Sequence, residues 1–282
     1  MSQAPNPPVL LTIAGFDPSA GAGIAADLKT FAAHNCYGVA AVTALTTQNT
    51  QGVAAVHPVE AARLKQTIQA LLEDGQVKAV KIGMLATRAN AEVVGEFLEA
   101  NPALPSVLDP ILRSASGVEL IDAAGFKFLR ERLMRRATIV TPNLAEAEAL
   151  TGLKIESVEA MKAAAQKLLE LGARAVVITG GHLEKPVDVC YDADGFECFA
   201  ADRVKPDHTH GTGCAFSSAV AANLALGRQV RDAVMLAKAF VTEAIRKAYP
   251  TGPGRLPLNH LFRMQQAPRV QDHAPAVAEP VH

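Results

Sequence analysis

The sequence predicts an α/β protein built on a mostly parallel central sheet. Three observations predict it. Short β-branched runs alternate with longer stretches of helical periodicity, the signature of βαβ units. Glycine-rich loops stand where runs of the first kind give way to runs of the second. Hydrophobic residues make up 49% of the 282 positions, enough to cover a sheet on both faces.

Residues 9–14 read as a buried strand that stops at Gly15, and 23–34 carry apolar residues at helical spacing. A second strand is predicted over 39–46. A helix over 58–72 follows, with Pro58 suited to its first turn. Further strands are expected at 77–82, 106–108, 138–140 and 175–179, with helices over 88–100, 122–134, 143–151 and 157–171. Residues 187–191 and 196–200, joined across Asp192-Ala-Asp-Gly195, predict an antiparallel hairpin. Two helices, 213–226 and 230–248, close the pattern. Beyond Met264 the chain is rich in Ala, Pro, Gln and Val with little periodicity, so 265–282 is predicted to be a disordered tail behind a single domain over 1–264.

Charge excludes some functions. With 27 Lys and Arg against 28 Asp and Glu, the chain has no extended basic surface, which argues against nucleic acid as a partner. No apolar run approaches the ~18 residues of a membrane span. Cys36, Cys190, Cys198 and Cys214 are dispersed and no secretory signal precedes them, so free thiols in a reducing, cytoplasmic setting are expected. Structural zinc spacing is absent, although His182, His208 and His210 could join the cysteines on paper.

Two glycine loops carry the chemistry. Gly15-Phe-Asp-Pro-Ser-Ala-Gly-Ala-Gly-Ile24 lies between the first strand and the first helix, where open α/β sheets bind ligands. Its spacing meets neither the Rossmann nor the Walker pattern. Thr209-His-Gly-Thr-Gly-Cys-Ala-Phe216 stands before an apolar helix. Gly211 and Gly213, flanking Thr212, would leave backbone N–H groups converging at the positive end of a helix, a place suited to the charge on a transferring phosphoryl group. The same field is expected to lower the pKa of Cys214 and make its thiolate a base or a hydrogen-bond acceptor. Asp109, Asn143, Glu146 and Gly180-Gly181 all follow predicted strands, and in a parallel sheet they emerge at the same edge as the loops. Asp109 and Glu146 there suit Mg²⁺, although Asp109 and Asn143 equally suit the capping of turns.

The stretch Ala14-Gly-Phe-Asp-Pro-Ser-Ala-Gly-Ala-Gly-Ile-Ala-Ala-Asp-Leu-Lys-Thr-Phe31 closely resembles the opening motif of the hydroxymethylpyrimidine/phosphomethylpyrimidine kinases of thiamine biosynthesis. The resemblance continues through Thr43-Ala-Leu-Thr-Thr-Gln-Asn-Thr50, Lys81-Ile-Gly-Met-Leu85, Leu108-Asp-Pro110, Thr141-Pro-Asn-Leu-Ala-Glu146, Gly180-Gly-His-Leu183 and His208-Thr-His-Gly-Thr-Gly-Cys214 to Pro257-Leu-Asn-His260. It implies a ribokinase-like three-layer α/β/α sandwich and a homodimer. It also implies two ATP- and Mg²⁺-dependent phosphorylations, of 4-amino-5-hydroxymethyl-2-methylpyrimidine and then of its monophosphate. By motif position Gln48 would bond the pyrimidine, with Gly15, Asp17, Gly23, Asp27 and Met84 lining the same pocket; Asp27 equally suits the role of a first-turn helix carboxylate. Cys214 with Gly211, Thr212 and Gly213 would form the catalytic loop. Asn143, Thr179, Gly181 and Lys185 would face the nucleotide, and Asp109 and Glu146 the metal.

Three departures stand out. Thr179 occupies a place where many members have a lysine, so Lys185 or Mg²⁺ would supply that charge, or nucleotide binds less tightly. Ser19-Ala20-Gly21 replaces Ser-Gly-Gly, a small change if φ at residue 20 is negative. Ile111-Leu-Arg-Ser-Ala-Ser-Gly117, over the site, is looser than its counterpart in relatives. Pyridoxal kinase of the same fold is the nearest rival, and a pyrimidine-binding protein that has lost catalysis is a rival of another class.

Overall fold

The computed structural model describes residues 6–181, 186–205 and 209–264. Nine strands form one sheet: β1 (Val9–Phe16), β2 (Tyr37–Asn49), β3 (Gly52–Pro58), β4 (Val77–Ile82), β5 (Ser106–Leu108), β6 (Ile139–Val140), β7 (Val176–Ile178), β8 (Val187–Asp192) and β9 (Gly195–Ala200). Their order is β3-β2-β1-β4-β5-β6-β7-β8-β9. Strands β2, β1, β4, β5, β6 and β7 run parallel; β3, β8 and β9 are antiparallel to their neighbours. The chain passes from β1 to β2 on one side and returns to β4 on the other. The crevice beyond the carboxyl ends of β1 and β4 is therefore the topological switch point.

The helices are α1 (Gly23–Ala33), α2 (Ala61–Asp74), α3 (Arg88–Ala100), α4 (Ala123–Phe128), α5 (Leu144–Thr151), α6 (Val158–Glu170), α7 (Thr212–Ala225) and α8 (Val230–Arg246). Side chains alternate faces along a strand, and this sorts them into two cores. Leu11, Ile13, Val80, Ile82, Leu108 and Val140 pack with residues of α2, α3, α5 and α6. Leu10, Ala79, Val107 and Ile139 pack with α1, α7 and α8. Three layers result, as the sandwich expectation required. The same alternation puts Thr12 on the face of Leu10, and Lys81 on the face of Ala79, toward α1 and α7.

Several elements differ from expectation. Residues 52–58 form β3, an edge strand, and Pro58 ends it rather than opening a helix, since an edge tolerates the missing N–H. Helix α2 starts at Ala61. The helix predicted over 122–134 is α4, then a π-turn over Leu129–Leu133 and a 3₁₀ turn over Met134–Arg136. The hairpin β8–β9 closes as predicted, with Gly195 at φ 98°. A short pair, β10 (Thr209–His210) with β11 (Leu256–Pro257), ties the second glycine loop to the end of the fold. The predicted tail, 265–282, and Lys185 lie outside the described residues.

Candidate active site

The first glycine loop leaves β1 at the switch point. Gly15 lies against Met84, just beyond β4; a Cβ there would sit 2.8 Å from Met84 Sδ. Thr43 Oγ1 donates to the Met84 carbonyl at 2.5 Å, which fixes that wall. Gly23, at φ 55°, packs on the Gly15 carbonyl so closely that any side chain would overlap it. Asp17 organises the turn between them. Its Oδ1 accepts from the Ser19 N–H and hydroxyl at 2.8 and 2.7 Å, and its Oδ2 from the N–H groups of Gly21 and Ala22 at 3.2 and 2.9 Å. Burial opposes the charge on Asp17. Hydrogen bonds from His210, Ser19 and Ala22 outweigh it and hold the carboxyl below the usual range.

Ala20 has φ 58°, against the negative value the Ser-Ala-Gly replacement needed to be harmless. The left-handed region costs a non-glycine residue about 1–2 kcal/mol. Lys29 Nζ donates to the Ala20 carbonyl at 2.6 Å and helps hold the strained peptide.

The second loop abuts the first. Gly211 has φ 84°, and a Cβ on it would overlap the carbonyl of Gly21. Gly211 is also the N-cap of α7 and supplies no side-chain cap, so the first-turn N–H groups of Thr212, Gly213 and Cys214 meet no capping side chain. Cys214 is 8% exposed, and the Gly23 N–H bonds its sulfur. The expectation of a depressed pKa is overturned: burial pushes the Cys214 thiol up to about 12. Lys81 and the Gly23 N–H pull the other way, while Asp109 and Asp27 reinforce the rise. At the start of α7 desolvation outweighs the lowering expected there.

Beneath this helix start lies a cluster that sequence reasoning did not assemble. Lys81, fully enclosed, stands 3.0 Å from both carboxylate oxygens of Asp27. Asp27 also accepts from Thr12 Oγ1 at 2.6 Å and from Ser218 Oγ at 2.7 Å. One residue closer to the loop, Ser217 Oγ donates to Asp109 Oδ2 at 3.0 Å. Burial disfavours the charge on Lys81, but Asp27, Cys214 and Asp109 around it hold its pKa above the ordinary lysine value. Asp27, expected in the pyrimidine pocket, is therefore a buried brace between β1, β4, α1 and α7.

Asp109 and Glu146 are both buried carboxylates. Burial pushes Asp109 up to about 6, with Lys81 and Ser217 opposing and Asp27 adding. Burial and then the charge of Asp109 push Glu146 up to about 8. Asn143 and Glu146 close a capping box at the start of α5, so the Asn143 side-chain oxygen is held by the Glu146 N–H. Thr179 bridges the backbone of Asn143, its N–H donating to Pro142 O at 2.9 Å. Beside it the Gly180 N–H donates to Asp188, which Lys238 pairs at 2.8 Å. Gly181 is exposed and open to approach. Gln48, half-buried at a bulge of β2, reaches His210 at 3.1 Å. Among the described residues no cluster of three or more His, Cys, Asp or Glu could hold a metal ion.

Two glycine loops meeting at a switch point, over an uncapped helix start, match known kinases over the whole frame. The profile of the phosphomethylpyrimidine kinases matches residues 17–259. The chain belongs to that family. It is 44% identical over 248 residues to the hydroxymethylpyrimidine/phosphomethylpyrimidine kinase of Aquifex aeolicus, covering 87% of this chain and 97% of the relative. An ADP complex of Bacillus subtilis pyridoxal kinase superposes at TM-score 0.84 with 36% identity, over 92% of this chain and 99% of that one. The phosphomethylpyrimidine kinase of Clostridium difficile superposes at 0.75 with 40% identity, over 84% and 99%. The family fold is ribokinase-like, and this kinase chain has it.

Within the family frame, the structure brings together Gly15, Asp17, Gly23, Met84, Gln48 and the Gly211–Cys214 loop, with Asp109 under that loop. Lys81, Ser217, Ser218 and His210 were missed. A lysine closing the otherwise apolar Val77–Ala79–Lys81 face of β4 was a readable sign of a buried partner. His210 gave no such sign, being one of two histidines in a loop.

Proposed function

We propose that this chain transfers the γ-phosphate of ATP to 4-amino-5-hydroxymethyl-2-methylpyrimidine and then to its monophosphate, in the cytoplasm and as a homodimer. The carrying observation is the uncapped start of α7: Gly211 to Cys214 offer backbone N–H groups where the charge of a transferring phosphoryl group would develop. Gln48, Gly15, Gly23 and Met84 surround the pyrimidine, and Asp17 shapes their loop. Asn143, Thr179 and Gly181 face the nucleotide; Lys185, outside the described residues, is expected there from motif position alone. The family's kinase relatives and the ADP complex of the Bacillus subtilis neighbour support ATP as donor.

Two buried carboxylates whose protons are held by desolvation and neighbouring charge fit a divalent cation, so Asp109 and Glu146 would hold Mg²⁺ directly or through water. When bound, the ion would neutralise phosphate charge.

The chain's own part is placement. The hydroxymethyl oxygen is lined up with the γ-phosphorus; a P–O bond forms to it, and the bond to the bridging β-phosphate oxygen breaks with ADP as leaving group. The hydroxyl proton passes late to an oxygen of the transferred phosphoryl group and on to solvent. A thiol raised to about 12 is protonated at neutral pH, so Cys214 orients the hydroxyl rather than waiting as a thiolate. A loose transition state needs little proton removal, which suits that role. Cys214→Ala is expected to lower kcat by about 10²-fold with little change in KM for the pyrimidine. Mass detection of mono- and diphosphate from ATP, Mg²⁺ and the alcohol checks both activity and variant. Full turnover in Cys214→Ala overturns this role.

Pyridoxal kinase is the second reading, favoured by the 0.84 superposition on the Bacillus subtilis enzyme. The ratio of kcat/KM for the two alcohols decides between them.

A further inference from the structure

His210 belongs to the second glycine loop, yet its ring lies across the first. It packs on Gly21, where any side chain would overlap it, and its Nε2 stands 2.9 Å from Asp17 Oδ2 and 3.1 Å from the amide of Gln48. The side chain is 18% exposed and lines a recess of about 90 Å³ together with Gln48, Ser114, Ser116 and Arg255. Glycine at position 21 thus makes room for this one ring.

Hydrogen-bond accounting fixes the direction of each contact. An ionised Asp17 only accepts, so His210 Nε2 carries a hydrogen and donates to it. That same N–H faces the Gln48 amide. The amide as placed puts Gln48 Nε2 at 3.1 Å from His210 Nε2 and Oε1 beside Thr46. Two N–H donors cannot bond one another, so hydrogen bonding requires the flipped amide, with its oxygen toward His210 and its NH₂ the other way. There it meets Thr46 Oγ1 at 3.3 Å. Thr46 donates its own hydrogen to the Phe16 carbonyl at 2.9 Å and is left with lone pairs to accept. Every contact in the chain Asp17–His210–Gln48–Thr46–Phe16 then pairs a donor with an acceptor, and one N–H of Gln48 is left over.

We propose that His210, held by Asp17, is the positioning residue that fixes the orientation of the Gln48 amide and thereby sets the enzyme's preference for an aminopyrimidine edge. The inference rests on the reading of Gln48 as the pyrimidine-bonding residue. With the amide locked, its remaining lone pair lies on the His210 side and its remaining N–H on the Thr46 side. A ring nitrogen beside an exocyclic NH₂ matches such a pair in one direction. A pyridine alcohol lacks that adjacent donor–acceptor pair and gains nothing from the lock. A freely flipping amide would serve both rings alike.

Steady-state kinetics with ATP and either the aminopyrimidine alcohol or pyridoxal tests this. His210→Phe is expected to lower the aminopyrimidine-to-pyridoxal ratio of kcat/KM by about tenfold, mainly through KM, the scale of one hydrogen bond. His210→Gln, whose amide N–H reaches the same place, is expected to restore most of the ratio. Asp17→Asn, which no longer dictates where the His210 proton sits, is expected to shift the ratio in the direction of His210→Phe. It stands in if the phenylalanine variant fails to fold. In a Gln48→Ala background, His210→Phe is expected to add nothing further. An unchanged ratio in His210→Phe, or effects that multiply in the double variant, overturns the positioning role. If the wild type then still phosphorylates the pyrimidine, the kinase reading stands without it. A wild type that leaves the pyrimidine untouched overturns both.

Discussion

Helices α5 and α7 both begin beside the site, and they are finished in opposite ways. At α5, Asn143 Oδ1 accepts the Glu146 N–H and the Glu146 carboxylate accepts the Asn143 N–H, each at 2.9 Å, so its positive end is closed by its own side chains. At α7, Gly211 caps with backbone alone. Its security comes from below, where Ser217 and Ser218 are tied to Asp109 and Asp27, and Asp27 to Lys81. A helix end can be stable because it is capped, or open because it is braced elsewhere. Under the proposed function, the end that would meet a changing phosphate charge is the braced one.

The largest effect is expected from removing the brace. Lys81→Met leaves the Asp27 carboxylate enclosed without a cation, and breaking a buried pair costs about 3–5 kcal/mol. Urea denaturation measures it; a loss under about 1 kcal/mol would mean that α7 does not depend on this pair. Removing the α5 cap is a smaller change. Asn143→Ala is expected to cost about 1 kcal/mol of stability, with KM for ATP rising a few-fold and kcat nearly kept. A collapse of kcat instead would erase the distinction between the two helix ends. The smallest effect is a pH signature. Burial and the charge of Asp109 hold the folded pKa of Glu146 at about 8, above the ordinary carboxyl value of 4.5. The folded state therefore binds that proton more tightly. Its contribution is whole below about 4.5 and declines as pH rises through about 8. Glu146→Gln keeps a capping-box residue and has no charge to bury. Relative to wild type, its Tm in metal-free buffer is expected to improve from pH 5 to pH 8. A constant difference would contradict the burial of this carboxyl.

The parallel strands and both glycine loops were legible because β-branched runs and glycines act locally, each within a few residues. Nearly every strand was placed within two residues of its position on that basis; β3 was not, because Pro58 is as good a helix opener as an edge-strand terminator, and only pairing with β2 decides. The Asp27–Lys81 brace spans 54 positions, and strand alternation shows which face Lys81 takes without naming what waits there. For Cys214 the helix field was visible in the sequence and the burial was not, so the sign of its shift came out reversed. Ala20 failed for a similar reason: its φ is imposed by Asp17 gathering the loop around itself, a demand no local propensity carries.

The enclosed, protonated sulfur of Cys214 has a consequence for chemical probing. Electrophiles and peroxides react with thiolates that solvent can reach, and Cys214 meets neither condition. Cys36 and Cys190 are buried too, their thiols raised by desolvation to about 11 and about 12. Cys198 alone among the four is exposed. A mild alkylating label will therefore mark the outer strand β9 first and leave the proposed reaction centre intact, so a fluorophore can be attached without altering the native sequence.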